Sequence, residues 1–188
     1  MSTEPAFLSD SIRIPSGVRV VARDRTLEAK GPLGSAARPF PSDLFRVEVK
    51  DDRVKLTLEL PPERKQARAL LGTWVAHLRN LTLGVSQGIE ARMKVVAAHF
   101  PMKVQAKEGE LQIENFLGEK FPRTAPLVPG VRATVDGEFV ILSGVDVEQV
   151  GQSAANIERA TRIRNYDPRV FQDGIYLVER AHVKEAGQ

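Results

Sequence analysis

The chain is one pattern written twice. Leu27 and Leu111, Gly34 and Gly118, and Val47 and Val131 each stand 84 positions apart. The residues around them run in parallel. Val18 to Gly34 reads VRVVARDRTLEAKGPLG, and Met102 to Gly118 reads MKVQAKEGELQIENFLG. Each stretch is an alternating segment, a polar turn, a second short segment and a closing Leu-Gly. Apolar and polar residues alternating at period two suit half-buried strands. A chain of 188 residues can form one medium domain or two small ones. The duplication selects two.

The parallel continues through each half. Phe45–Val49 and Val54–Leu60 flank the polar turn Lys50-Asp51-Asp52-Arg53, and Val131–Val135 and Phe139–Leu142 flank Asp136-Gly137-Glu138. Asp-Gly favours a tight hairpin, because glycine tolerates the positive φ that the turn demands. A helix follows in each half. Leu70, Leu71, Trp74, Val75, Leu78 and Leu81 form one apolar face, and Pro61 and Pro62 suit its entrance. Val150, Ala154, Ile157 and Ala160 make a weaker stripe, with Ile163 near its end. Asp146 and Gln149 resemble a capping box at its start.

Each half then closes with a strand after a glycine. Gly88 leads into Arg92–Val96, and Gly174 leads into Tyr176–Val178. These glycines are 86 apart, so about two residues have been inserted between the halves' common landmarks. The predicted fold is α+β: two tandem repeats, each a mainly antiparallel β-sheet packed against one α-helix. With the join at His99-Phe100-Pro101, the repeats span residues 1–98 and 99–188. The Gly-, Pro- and Arg-rich loops Lys30–Pro41 and Glu119–Pro129 hold equivalent places and are natural contact sites.

Composition excludes several classes of function. There is no cysteine, hence no disulfide framework and no thiolate metal site. No apolar run is long enough to span a bilayer, and residues 1–10 lack the features of a secretory signal. A soluble intracellular protein is expected. His77, His99 and His182 show no metal-ligand spacing, and no nucleophile elbow or phosphate-binding glycine loop occurs. We therefore assign no catalytic residue, no metal ligand, no cofactor and no small-molecule substrate.

Positive charge is concentrated instead. Of 27 basic residues only 9 are lysine, and the net charge is +3. Arg159, Arg162, Arg164 and Arg169 fall within eleven residues, interleaved with Asn156, Asn165, Tyr166 and Gln172. Arg159 and Arg162 are three apart and are expected on one helical face. Pro168 should end the helix and stiffen the loop. Lys120 and Arg123 form a second candidate patch. From these residues alone two readings stand, beside a third, an enzyme whose carboxylates only the fold would bring together. One is a surface that grips a phosphate backbone by charge and shape. The other is a solvated basic face on a protein-interaction module with no direct RNA contact.

Further residues bear on the choice. His99-Phe100-Pro101, Asn115-Phe116-Leu117-Gly118-Glu119-Lys120, Ala154-Ala155 with Ile157, Ala160-Thr161-Arg162, and Phe171-Gln172-Asp173-Gly174-Ile175-Tyr176 follow in order. In this the chain resembles the large-subunit ribosomal protein six family, in its archaeal and eukaryotic branch. The resemblance implies a cytoplasmic protein of the ribosome that binds large-subunit rRNA, chiefly through its C-terminal repeat. It implies a place near the sarcin–ricin loop, beside neighbouring ribosomal proteins and the site where translation factors dock. It also implies no enzymatic activity and no cofactor. Carried onto this sequence, the RNA-contacting candidates are Lys120, Arg123, Arg159, Arg162, Arg164, Arg169, Asp173, Gly174 and Tyr176. The basic residues would pair with phosphate. Gly174 would let the backbone approach closely or turn sharply. Asp173 would contact RNA or hold its own loop, and Tyr176 would stack on a base or enter the core. Leu33 stands where many relatives carry a basic residue. The N-terminal half is accordingly expected to be a spacer and a surface for neighbouring proteins.

Overall fold

Alternating segments become strands wherever one face has apolar partners, and the first half shows how. The computed structural model describes residues 7–23, 25–41, 43–50, 52–59, 65–167 and 169–184. The chain separates into two compact units, Met1–Gln87 and Gly88–Gln188. In the first, β1 (Leu8–Arg13), β5 (Phe45–Lys50) and β6 (Arg53–Leu58) form one antiparallel sheet in the order β1-β6-β5. A second antiparallel sheet runs β2 (Arg19–Arg23), β3 (Thr26–Gly31), β4 (Gly34–Pro39). The helix α1 (Lys65–Gln87) contacts both. Leu27 and Ala29 of β3 and Val54, Leu56 and Leu58 of β6 alternate inward, and Leu71, Val75, Leu78, Leu81 and Val85 line the buried face of α1. Trp74 is half-buried and sits edge-on to Phe40 and Phe45, at 6.4 and 6.1 Å between centroids. Its place is structural. Asp51 of the expected hairpin turn and the helix-entrance residues Pro61 and Pro62 lie outside the described residues.

The second unit repeats this plan and adds a strand. Its first sheet is β8 (Lys103–Lys107), β9 (Glu110–Glu114), β10 (Arg123–Pro126), with β9 central. Leu27 and Leu111, 84 positions apart in sequence, are the buried leucines of the two central strands β3 and β9. The other sheet has the order β11 (Arg132–Asp136), β12 (Phe139–Gly144), β7 (Ile89–Val96), β13 (Gly174–Val183). Its helix is α2 (Val147–Ala160).

Two expectations about the repeat are corrected here. The strand after α1 does not close the first half. β7 pairs with β12 as β1 pairs with β6, so each repeat opens with this strand and closes with its helix. The units therefore part between Gln87 and Gly88, not between 98 and 99, and His99–Pro101 lies inside the second unit. The reason is burial. Ile89, Ala91 and Met93 are fully enclosed in the second core with Val140, Leu142, Val150 and Ile157. The 84-residue spacing also fails beyond the central strands. The hairpin-closing pairs Lys50–Arg53 and Asp136–Phe139 are 86 apart, and Val131 precedes β11 whereas Val47 lies within β5. The inserted residues thus fall between Leu111 and Asp136, in the segment that carries the candidate loop.

Candidate nucleic-acid interface

The end of α2 organises the basic residues. The helix starts at Asp146, whose Oδ1 accepts the Glu148 N–H at 2.9 Å. This is an N-cap, reached from the sequence as a capping box with Gln149. Val150, Ser153, Ala154 and Ile157 point into the core. The helix stops at Ala160, short of Ile163. The buried Thr161 caps it, with Oγ1 donating to the Ile157 carbonyl at 3.2 Å and accepting the Ile175 N–H at 3.2 Å. Glu158 Oε1 accepts the Leu177 N–H at 3.0 Å. Together these bonds tie the start of β13 to the last turn of α2 and hold both ends of the loop between them.

Because the helix ends so early, Arg159 and Arg162 do not share a helical face as expected. Arg159 lies in the last turn, where the carbonyl end of the helix favours a cation. Arg162 and Arg164 follow in the loop, and Asn165 takes a left-handed φ of 64°. The three arginines nevertheless meet. With Arg123, Thr124 and Ala160 they line a cavity of about 340 Å³. All three are exposed and have no ion pair or side-chain hydrogen bond among the described residues. Glu158, the nearest carboxylate in sequence, is turned to the Leu177 amide. The site therefore carries uncompensated positive charge, which suits an anionic ligand.

Arg123 is different, because its guanidinium is already engaged within the chain. Its Nε and Nη2 donate to the two carboxylate oxygens of Glu119 at 2.8 and 2.5 Å. Its Nη1 donates to the carbonyls of Ala160 and Arg162 at 2.8 and 3.2 Å. Its guanidinium also stacks 4.1 Å above the Phe116 ring. The hydrogen bond from Arg123 pulls the Glu119 carboxyl below the usual range, against the opposing effect of its burial. Arg123 thus builds the cavity wall and satisfies the open carbonyls of the helix end. Lys120 and Arg169 are exposed and lie outside the cavity lining. The Arg169 N–H is held by Asp167 Oδ1 at 2.9 Å. Pro168, expected to stiffen this loop, lies outside the described residues.

Of the remaining three candidates, Asp173 and Gly174 are buried and Tyr176 lies at the surface. Asp173 is fully buried, which excludes direct contact with RNA. Its Oδ1 accepts the His99 and Phe100 N–H groups at 3.1 and 3.5 Å, and its Oδ2 faces His99 Nδ1 at 3.3 Å. Burial pushes its carboxyl up. The two amide bonds and the His99 ring outweigh that effect, and the carboxyl stays below the ordinary value of 3.8. Gly174 is buried and extended. A Cβ there would lie 2.9 Å from the Tyr176 ring, so the glycine makes room for a tyrosine. Tyr176 is not a core residue. It is 45% exposed, and its hydroxyl donates to the Gln172 carbonyl at 3.2 Å. The rings of Tyr166, Phe171 and His99 pack in series in tilted contacts with 4.9 Å between successive centroids, which further fixes the loop.

A carboxylate with a lowered pKa stabilises the fold above its unfolded pKa, and that contribution disappears as pH falls through the folded value. Asp173→Asn should therefore make the second unit less stable at neutral pH. The difference from wild type should shrink as pH falls below about 4. Urea titrations at several pH values check this. A gap that persists unchanged into strong acid would contradict it.

Thr124 was not picked out from sequence, and Ala160 was read only as part of the helical stripe and of the run Ala160-Thr161-Arg162. Both are small, and only the return of the loop across the helix end brings them to the cavity. Among the described residues no cluster of three or more His, Asp or Glu could hold a metal, and no helix is long and apolar enough to cross a membrane.

The sequence profile of the family described as Ribosomal protein L6 matches this chain twice, over residues 14–88 and 100–174. Three relatives are named Large ribosomal subunit protein uL6. That of Methanosarcina mazei is 44% identical over 93% of this chain and 98% of its own length. That of Methanobrevibacter smithii is 42% identical over 93% and 97%, and that of Methanocella arvoryzae 44% over 90% and 96%.

Proposed function

The chain belongs to the ribosomal protein L6 family, and from that premise we propose that it binds large-subunit rRNA through the arginine-lined cavity at the end of α2. Like its relatives it is a structural constituent of the large ribosomal subunit and not an enzyme. The observation that carries the RNA reading is the convergence of Arg159, Arg162 and Arg164 on one cavity with no ion-paired carboxylate among the described residues. Guanidinium groups pair with phosphate oxygens in bidentate fashion, and a rigid loop positions them at little entropic cost. Lys120 and Arg169 add charge on the same unit. The second repeat, residues 88–188, is then the main RNA-binding unit, and the first repeat presents surfaces to neighbouring ribosomal proteins. The family resemblance supports a place for the site near the sarcin–ricin loop and the translation-factor surface.

The lack of native cysteine allows a direct test. Ala155 is exposed on α2, one turn before Arg159. An Ala155→Cys chain carrying a tethered hydroxyl-radical probe, assembled into large subunits, should cleave rRNA at and around the sarcin–ricin loop. Cleavage confined to distant rRNA domains would contradict the assigned position. No cleavage from an assembled chain would contradict RNA contact by this face.

A further inference from the structure

Among the exposed large apolar side chains Phe121 stands apart, at 85% exposure. Single exposed apolar residues are common on protein surfaces. Two features distinguish this one. The first is the rigidity of its loop. Gly118 takes a φ of 78°, and its α-carbon packs so closely on Phe100 that a Cβ would come within 3.2 Å of the ring. The Glu119 N–H donates to the Phe116 carbonyl at 2.9 Å, and the Glu119 carboxylate clasps Arg123. Asn115 Nδ2 donates to the Pro101 carbonyl at 3.0 Å. Pro122 fixes its own φ and restricts Phe121 to extended conformations. The loop is closed at both ends, and the ring is presented to solvent.

The second feature is the chemistry beside the ring. Lys120 precedes it, and Arg123, two residues on, is a wall of the arginine cavity. Residues two apart are separated by at most about 7 Å along the chain. An aromatic face and a cationic cavity are thus neighbours, as a single-stranded nucleotide requires.

We propose that Phe121 is a stacking platform for an unpaired base of the bound RNA, with the adjoining backbone phosphates in the cavity of Arg159, Arg162 and Arg164. This rests on the RNA reading above and adds the kind of RNA it takes: a loop or bulge, not continuous duplex. Bases in a duplex are already stacked, whereas a splayed base offers its face to an aromatic ring. The contact is apolar and carries no sequence preference of its own.

The test measures binding of the full chain to the same cell's large-subunit rRNA across a salt series. Phe121→Ala should weaken binding by about 5- to 100-fold at fixed salt. The logarithmic salt slope should not change, because no phosphate contact is lost. Phe121→Trp should retain affinity, and Phe121→Leu, which keeps apolar bulk without a ring, should not. Unchanged affinity in Phe121→Ala, full affinity in Phe121→Leu or a shallower slope in Phe121→Ala would each overturn the proposal. Full affinity in the leucine variant would point to apolar contact with a protein neighbour. The two readings fail separately. If arginine variants bind weakly and Phe121→Ala binds normally, only the stacking role is lost. If the wild-type chain does not bind the rRNA, both are lost.

Discussion

Replacing Arg159, Arg162 and Arg164 together by alanine should weaken binding to large-subunit rRNA by about 150- to 2000-fold near physiological salt. The estimate takes roughly 1 to 1.5 kcal/mol for each phosphate contact. The fold should survive. None of the three side chains bonds to another described residue, all are exposed, and the helix end keeps its Thr161 cap and its Arg123 clasp. Removing three like charges from one cavity relieves mutual repulsion, which offsets the loss of the Arg159 cation at the carbonyl end of α2, so thermal stability should change little. Filter binding and a melting curve on the same preparation check both halves of this expectation. Normal binding by the triple variant would remove the cavity from the interface. A large loss of stability would mean that the arginines are structural.

The largest expected effect on stability lies in the first unit, at Gly31. A Cβ on Gly31 would sit 2.5 Å from the Val85 carbonyl oxygen and 2.9 Å from its carbonyl carbon. The same oxygen accepts the Leu33 N–H at 3.1 Å. The β3–β4 turn is therefore docked, backbone against backbone, on the last turn of α1. Neither side can yield without moving a strand or a helix. Gly31→Ala should cost about 3 kcal/mol. For a unit of this size that lowers the melting temperature by roughly 12–24 °C. Trp74, the chain's only tryptophan, lies in this unit and reports the transition by fluorescence. Gly174→Ala is the instructive contrast. Its obstacle is the far end of the exposed Tyr176 side chain, which can swing aside and lose only its hydroxyl bonds to the Gln172 and Asp173 carbonyls. That variant should lose about 1 kcal/mol or less. Equal losses at the two positions would refute the distinction.

Much of the fold is legible in the sequence because period and burial agree. Leu27 and Leu111 mark the central strands, Asp136-Gly137 marks a hairpin, and the stripe from Leu70 to Leu81 marks the long helix. The partner of the strand Ile89–Val96 was not legible. Alternation shows that Ile89, Ala91 and Met93 need an apolar neighbour, but it does not say which of two sheets supplies it. At the site, the cluster of arginines after α2 is visible as a run of charge. Its division of labour is not. Glu119 and Arg123 are four apart across the loop that leads into β10, where helical pairing rules do not apply, and the carbonyls that Arg123 caps are nearly forty positions downstream. Asp173-Gly174 has the form of a turn. Only the fold shows that its carboxylate is buried on the amides of His99 and Phe100.

The salt dependence of rRNA binding by the unaltered chain tests the role of the arginine cavity most directly. Four or five neutralised phosphates, drawn from Lys120, Arg159, Arg162, Arg164 and Arg169, give a slope of log affinity against log salt of about −3 to −4.5. Arg162→Ala should make that slope shallower by about one unit. A flat dependence in the wild type, or an unchanged slope in the variant, would contradict phosphate recognition by these side chains.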